Sequence, residues 1–317
     1  MDAPPIPVIL DVDPGHDDAV AILMAAASPA IDLLAVTCVA GNAPLAHTQV
    51  NARTVLSVAG VADTPVAAGL DRPLERPLVT AAHVHGSTGL DGPELPPPTV
   101  ELDPRHAVDL IIELAAAAPR PLTLVPTGPL SNIAMALRLA PRLKEQVERI
   151  VLMGGAVAEG NITPSAEFNI YVDPEAAHIV FSSGIPITMV GLDVTHQALV
   201  GPPDVAAIRA MGTPVATMVA GLIDYYARFH QDLYGWDGVP LHDPCCVAAL
   251  IRPGLITTKP MDVQIETTSP LTRGRTVCDV WGVTGRAPNA DVGVAIDRQG
   301  FIDALMDCLQ SYYSSFR

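Results

Sequence analysis

Eight residues near the amino terminus, DVDPGHDD (residues 11–18), carry four aspartates. Four charged carboxylates in a partly buried cleft repel one another, so either protons or a divalent cation must share the site with them. No cysteine or paired histidine stands beside them, and an all-oxygen donor set suits Ca²⁺ or Mg²⁺ rather than zinc. Helix capping and the favourable charge at a helix start are the competing explanation. That explanation accounts for one or two of the aspartates, not four.

The elements that must position this cluster are legible around it. Residues 7–13 form a short apolar, β-branched run, so Asp11 and Asp13, two apart, project to the same side of a strand end. The Pro14-Gly15 turn then brings Asp17 and Asp18 into the first turn of a helix over 16–27. Further strands are predicted at 33–40, 122–126, 150–153 and 187–190, with a crossover helix at 44–59. Near-continuous apolar strands separated by helices predict an α/β fold with a mainly parallel sheet covered on both faces. Sites in such sheets form beyond the carboxyl ends of the strands, where the aspartate turn lies. Residues 72–98, rich in Pro and Gly and holding His83 and His85, are long for a compact connection and predict an active-site loop. Residues 202–250 read as mostly helical and 263–283 as a β excursion. No linker divides the chain, so residues 1–317 are read as a single domain.

Composition narrows the function further. With 34 Asp+Glu against 18 Lys+Arg the formal charge is −16, which leaves no electrostatic footprint for nucleic acid or an anionic membrane. Aromatic residues make up only 4%, which argues against a stacking platform for single strands. Apolar runs such as residues 19–27 fall far short of a membrane span, and the acidic amino terminus lacks the basic start of a signal peptide. Five cysteines, two of them adjacent and none in a CxxC pair, predict a reduced, cytoplasmic protein. The PTGPLSN turn (residues 126–132) has amides at a helix start but lacks the Lys and glycine spacing of a phosphate loop, so a triphosphate site is rejected.

The run DVDPGHDDAVAIL resembles the amino-terminal signature of the inosine–uridine-preferring nucleoside hydrolases. The resemblance continues in order through AGN (40–42), HGSTGLDG (85–92), PTGPLSNIA (126–134), MGGA (153–156), GNITPSAEFN (160–169), DPEA (173–176) and LHDP (241–244), covering most of the chain. It implies a single-domain Rossmann-like mixed sheet flanked by helices, a tightly bound Ca²⁺, and hydrolysis of the N-glycosidic bond of ribonucleosides such as inosine or uridine. By the same resemblance Asp13 is the general base and a metal ligand. Asp18, Asp243 and the carbonyl of Thr127 complete the protein's Ca²⁺ ligands, and Asp11 orients its neighbours from behind. Asp17, Asp243, Asn161, Glu167 and Asn169 are implied to hold the ribose hydroxyls. The partner is a small-molecule ribonucleoside, and the assembly a homodimer or homotetramer.

Local readings compete with some of these roles. Asn161 and Asn169 also suit turns, although Glu167 and Asn169, two apart, would face one ligand from an extended stretch. Asn42, after Gly41 at a strand end, is within reach of the same cleft but equally suits a turn. His242, preceding Asp243, is read as the proton donor to the leaving base, with packing as its alternative. His85 is read as a contact to the base or ribose, and His230 stands where a tyrosine is expected in the family. His16 needs no role, and His47, His106, His178 and His196 read as packing or surface residues. Two other functions compete: a haloacid-dehalogenase-like phosphatase, which also opens on Asp-x-Asp after a strand, and a Ca²⁺-dependent ribonucleoside-binding protein without turnover.

Overall fold

The computed structural model describes residues 4–315. Its strands are, in chain order, β1 (Ile6–Val12), β2 (Ile31–Cys38), β3 (Val66–Ala68), β4 (Leu102–Asp103), β5 (Leu122–Pro126), β6 (Val147–Met153) and β7 (Ile187–Val190). They continue with β8 (Leu199–Val200), β9 (Val239–Pro240), β10 (Ile256–Met261), β11 (Val263–Ile265), β12 (Thr276–Cys278) and β13 (Ala290–Ile296). Nine of them make one sheet in the order β10-β13-β7-β6-β5-β1-β2-β3-β4. Every pairing in it is parallel except β10 with β13, the mixed, mainly parallel sheet that the sequence predicts. The expected strands at 122–126 and 187–190 coincide with β5 and β7, and the β excursion is the β11–β12 hairpin.

The helices are α1 (His16–Ala27), α2 (Leu45–Ala59), α3 (Ala82–His85), α4 (Ala107–Ala117), α5 (Ser131–Leu139), α6 (Leu143–Gln146) and α7 (Phe168–Val172). After these come α8 (Pro174–Phe181), α9 (Leu192–Thr195), α10 (Pro202–Ala210), α11 (Pro214–Tyr234), α12 (Pro244–Ile251) and α13 (Arg298–Ser315). Strand β1 shows how the two faces are filled. Val8, Leu10 and Val12 join one apolar cluster with α1, α2, α11, α12 and α13, while Ile9 joins the other with α4, α5 and α8. A strand buried on both sides must read as a continuous apolar run, and this one does. No helix among the described residues is long and apolar enough to cross a membrane.

The chain path creates the site. From β1 it runs outward to β2, β3 and β4, then returns to β5 on the other flank of β1 and continues to β6 and β7. The carboxyl ends of β1 and β5 therefore border the switch point, where open α/β sheets leave a crevice. Asp13 follows β1 directly and Thr127 follows β5, with the Thr127 amide donating to the Asp11 carbonyl at 2.8 Å. At the start of α1, the Asp18 carboxylate accepts from the Gly15 amide at 3.0 Å, and Asp17 and Asp18 suit the positive helix end. A Cβ at position 15 would lie 2.6 Å from Nδ1 of His85, so glycine is required there by close approach.

Candidate active site

The floor of the crevice is made of carboxylates. Asp13 is completely buried; its Oδ2 accepts the Asn42 amide at 2.6 Å, while its buried Oδ1 has no hydrogen-bond partner. The Oδ1 of Asp18 accepts from the Thr127 hydroxyl at 2.8 Å, and its Oδ2 accepts from the Asn42 side-chain amide at 3.2 Å. Asp17, Asp18 and Asp243 are all buried, and one carboxylate oxygen from each lies within 4.8 Å of the others. Asp11 sits one layer below. Its Oδ1 accepts from the Thr37 hydroxyl (2.6 Å) and the Asn132 amide (2.8 Å), which ties β1 to β2 and α5.

Burial without counter-charge dominates the electrostatics. It pushes Asp11 and Asp17 up to about 7, and for Asp17 the Asp18 charge adds to it. Asp13 rises well above the usual carboxylate range through burial and then Asp18; Asp243 does so through burial and then Asp17 and Asp18. Asp18 rises through burial, against the donors that it accepts from. A divalent cation among these oxygens would reverse those shifts. Hard oxygens alone, three of them mutually within 4.8 Å and a fourth carboxylate beside them with an orphaned oxygen, are the donor set of Ca²⁺ or Mg²⁺.

A cavity opens above this floor, lined by Asp17, Asn42, Thr127, Asn161, Glu167, Asn169, His85, His230, His242 and Asp243 among others. On one wall, the Asn169 side-chain amide donates to the Thr127 carbonyl at 2.6 Å. The expected extended geometry of Glu167 and Asn169 is not what forms. Glu167 caps the start of α7, its carboxylate accepting from the amides of Asn169 (2.9 Å), Ile170 (3.2 Å) and Gly155 (2.9 Å), so Asn169 lies on a helical turn. Capping outweighs strand alternation here because three buried amides would otherwise lack acceptors. Burial still raises Glu167 to about 7. Asn161 serves its turn, accepting from the Phe168 amide at 2.9 Å, and also lines the cavity.

Imidazoles and aromatic rings from α3, α11 and the approach to α12 make the roof. Nδ1 of His242 lies 2.7 Å from the Thr195 hydroxyl, and burial with neighbouring histidines holds its pKa well below the usual value. His230 donates its Nδ1 hydrogen to the Tyr226 carbonyl at 3.1 Å, and burial lowers it to about 4, which leaves a lone pair on Nε2. His85 is buried at the end of α3 and stacks on Tyr226.

Two histidine expectations are corrected. His196, expected as packing or surface, lines the cavity and meets His242 edge-on at 5.7 Å. His16, expected to need no role, is buried with both ring nitrogens engaged, on His85 and on the Asp91 carbonyl. His106 caps α4, within its expected structural part.

Tyr226, Phe229, Tyr234, Phe168, Ile162 and Met153 also line the cavity and were missed. A signal for the first three exists: YYARFHQDLYGW (225–236) concentrates aromatic residues in a chain with only 4% of them.

Comparison with known proteins agrees with this arrangement. Residues 8–303 match the family described as inosine-uridine preferring nucleoside hydrolase. The chain is 51% identical over 311 residues to the pyrimidine-specific ribonucleoside hydrolase RihA of Shewanella sp. (strain ANA-3), covering 98% of each. It is 49% identical over 310 residues to that of Citrobacter koseri, covering 98% of this chain and 99% of the relative. The purine-preferring ribonucleoside hydrolase from Gardnerella vaginalis superposes with a TM-score of 0.91 at 34% identity, over 98% of this chain and 99% of that one. A plant nucleoside hydrolase gives 0.89 at 34%, over 96% and 99%. These matches and the site exclude the phosphatase alternative: the chain belongs to the inosine-uridine preferring nucleoside hydrolases and is an enzyme of that family.

Proposed function

We propose that the protein hydrolyses the N-glycosidic bond of pyrimidine ribonucleosides, such as uridine, to ribose and free base, with Ca²⁺ as its metal. The observation that carries the reading is the buried carboxylate floor, with the unpartnered Asp13 Oδ1, under a cavity lined by amides, imidazoles and aromatic rings. The pyrimidine preference draws on relatives near 50% identity that bear that name, against a purine-preferring neighbour at 34%.

Asp13, Asp18, Asp243 and the Thr127 carbonyl would hold the ion, with Asp17 completing the cluster. When bound, Ca²⁺ supplies orientation and acidification of a water. The chain's own residues do the rest. Asn42 occupies one Asp13 oxygen and leaves the other to accept the water's proton. Asp17, Asp243 and Asn169 present acceptors and a donor to vicinal hydroxyls, and Asn161 and Glu167 position the sugar from beside Asn169. As ribosyl cation character develops, the buried carboxylates lower its energy in a water-poor site. Thr195 donates to His242 Nδ1 in this reading, which leaves Nε2–H to donate a hydrogen bond to the departing base as negative charge develops on it. His230 and His85 contact the base from the roof, the 72–98 loop carries His85, and the helices of 202–250 cover the site.

The protein is further proposed to act in the cytoplasm as a homodimer or homotetramer. The test is release of uracil and ribose from uridine before and after chelation, with elemental analysis of the purified protein. Base release that disappears with Ca²⁺ and returns on its addition supports the reading. A Ca²⁺-loaded protein that binds uridine without cleaving it would instead be the non-catalytic binding protein, and chelator-resistant turnover would exclude the metal.

A further inference from the structure

His16 sits inside the aspartate motif, is 1% exposed, and is used by no step above. Its Nε2 lies 2.8 Å from the main-chain carbonyl of Asp91, which can only accept, so that nitrogen carries a hydrogen. Its Nδ1 lies 2.9 Å from Nδ1 of His85, a separation that requires one hydrogen between the two atoms. Since Nε2 of a neutral His16 already carries its hydrogen, the one between the Nδ1 atoms belongs to His85, which donates it to His16, and the His16 backbone amide 3.2 Å from that His85 nitrogen is a close contact rather than a second bond. Two tyrosine rings lie nearly parallel to His16, Tyr225 at 5.1 Å and Tyr226 at 5.5 Å between centroids, with interplanar angles of 7° and 3°. Asp91 is itself ordered, its carboxylate accepting from the Ser87 amide at 2.9 Å and the Thr88 hydroxyl at 2.5 Å.

We propose that His16 is a positioning residue for His85, an assignment whose catalytic consequence rests on the nucleoside reading of the cavity. With Nδ1 of His85 held by His16, the ring cannot turn over, and Nε2 is the one ring nitrogen left for substrate. Because His16 opens α1 and grips both His85 and Asp91, it also sets the register of the 85–91 turn against the helix that carries Asp17 and Asp18. One side chain thus couples the carboxylate floor to the roof.

The test compares full-length, Ca²⁺-loaded wild type with His16→Phe, which keeps a stacking ring but no nitrogen, and His16→Asn, whose amide reaches the Nδ1 position alone. All three are expected to retain Ca²⁺ equally. His16→Phe should lower kcat for uridine about 10–100-fold, as loss of a partner that orients a working ring does, with KM changed less. His16→Asn should recover part of that loss. In ¹⁵N spectra of the histidine rings, His85 signals should move in His16→Phe while those of His242 stay. A kcat for His16→Phe within about twofold of wild type overturns the assignment, as do unmoved His85 signals in that variant. Should His16→Phe fail to fold or to hold Ca²⁺, His16→Asn carries the test: lost activity with unshifted His85 signals refutes positioning. If wild type cleaves no nucleoside, the proposed function falls separately and the ring spectra alone decide the role of His16.

Discussion

Replacing Asp13 by asparagine separates its charge from its shape. The Asn42 amide, 2.6 Å from Oδ2, selects the carboxamide oxygen for that position. The NH₂ group must then point where Oδ1 stands bare, so a donor replaces the acceptor that the water's proton requires. A positioned general base contributes ~10²–10⁴-fold, which is about 2.7–5.4 kcal/mol of transition-state stabilisation at 1.36 kcal/mol per decade. We expect kcat for uridine to fall by that factor at saturating Ca²⁺. Stability should move the other way. Burial holds Asp13 well above the usual carboxylate range, so the neutral amide relieves a desolvated charge and chelated Asp13→Asn should melt above chelated wild type. Each kcal/mol recovered corresponds to roughly 2 °C in a chain of this size. Initial rates of base release across a Ca²⁺ titration, with thermal melts in chelator, measure both. A kcat within tenfold of wild type, or a lower melting point for the chelated variant, would refute the assignment of Asp13 as a buried, charged base.

Stability of the metal-free protein should decline as pH rises from about 4 to 7. Asp11 and Asp17, with folded values about 7 against ordinary values near 3.8, bind more protons folded than unfolded in that window. Each then costs roughly 1.4 kcal/mol per pH unit until its folded value is passed; melts in chelator check this, and a flat or rising profile contradicts it. Deoxyuridine should be a far poorer substrate than uridine, by up to ~10⁴-fold, because buried acceptors such as Asp17 lose their hydroxyl partner; comparable kcat/KM values would show that the 2′ position is not read. His242→Ala should slow uridine much more than a nitrophenyl riboside, whose leaving group needs no proton. Equal slowing in paired assays would make His242 structural.

Much of the fold and floor was readable from the chain because both depend on local patterns. The β1 run and the Pro14-Gly15 turn dictate where Asp13, Asp17 and Asp18 emerge, whatever the rest of the protein does. The roof was less legible. Tyr226, Phe229 and His196 reach the cavity from α11 and the end of α9, and nothing local to them says which helix face looks into a crevice built by distant strands. Glu167 was misread for a related reason. Two-residue spacing has one meaning in a strand and another at a helix start, and the amide of Gly155 that helps decide between them comes from the loop after β6.

The order in which the site's parts appear along the chain has a consequence for biosynthesis. Asp13 and Asp18 are made first, Thr127 follows, and Asp243 belongs to the last quarter of the polypeptide. A nascent chain that has already paired β1, β2 and β5 therefore displays Asp13, Asp17 and Asp18 without Asp243 and without the rings of α11 above them. Those groups stay hydrated and ionised until α11 and α12 dock, since domains assemble as synthesis proceeds at about 5–20 residues per second. Expulsion of water from the crevice thus waits for the last quarter of the chain, and a ribosome stalled before Asp243 leaves an acidic cleft still open to solvent.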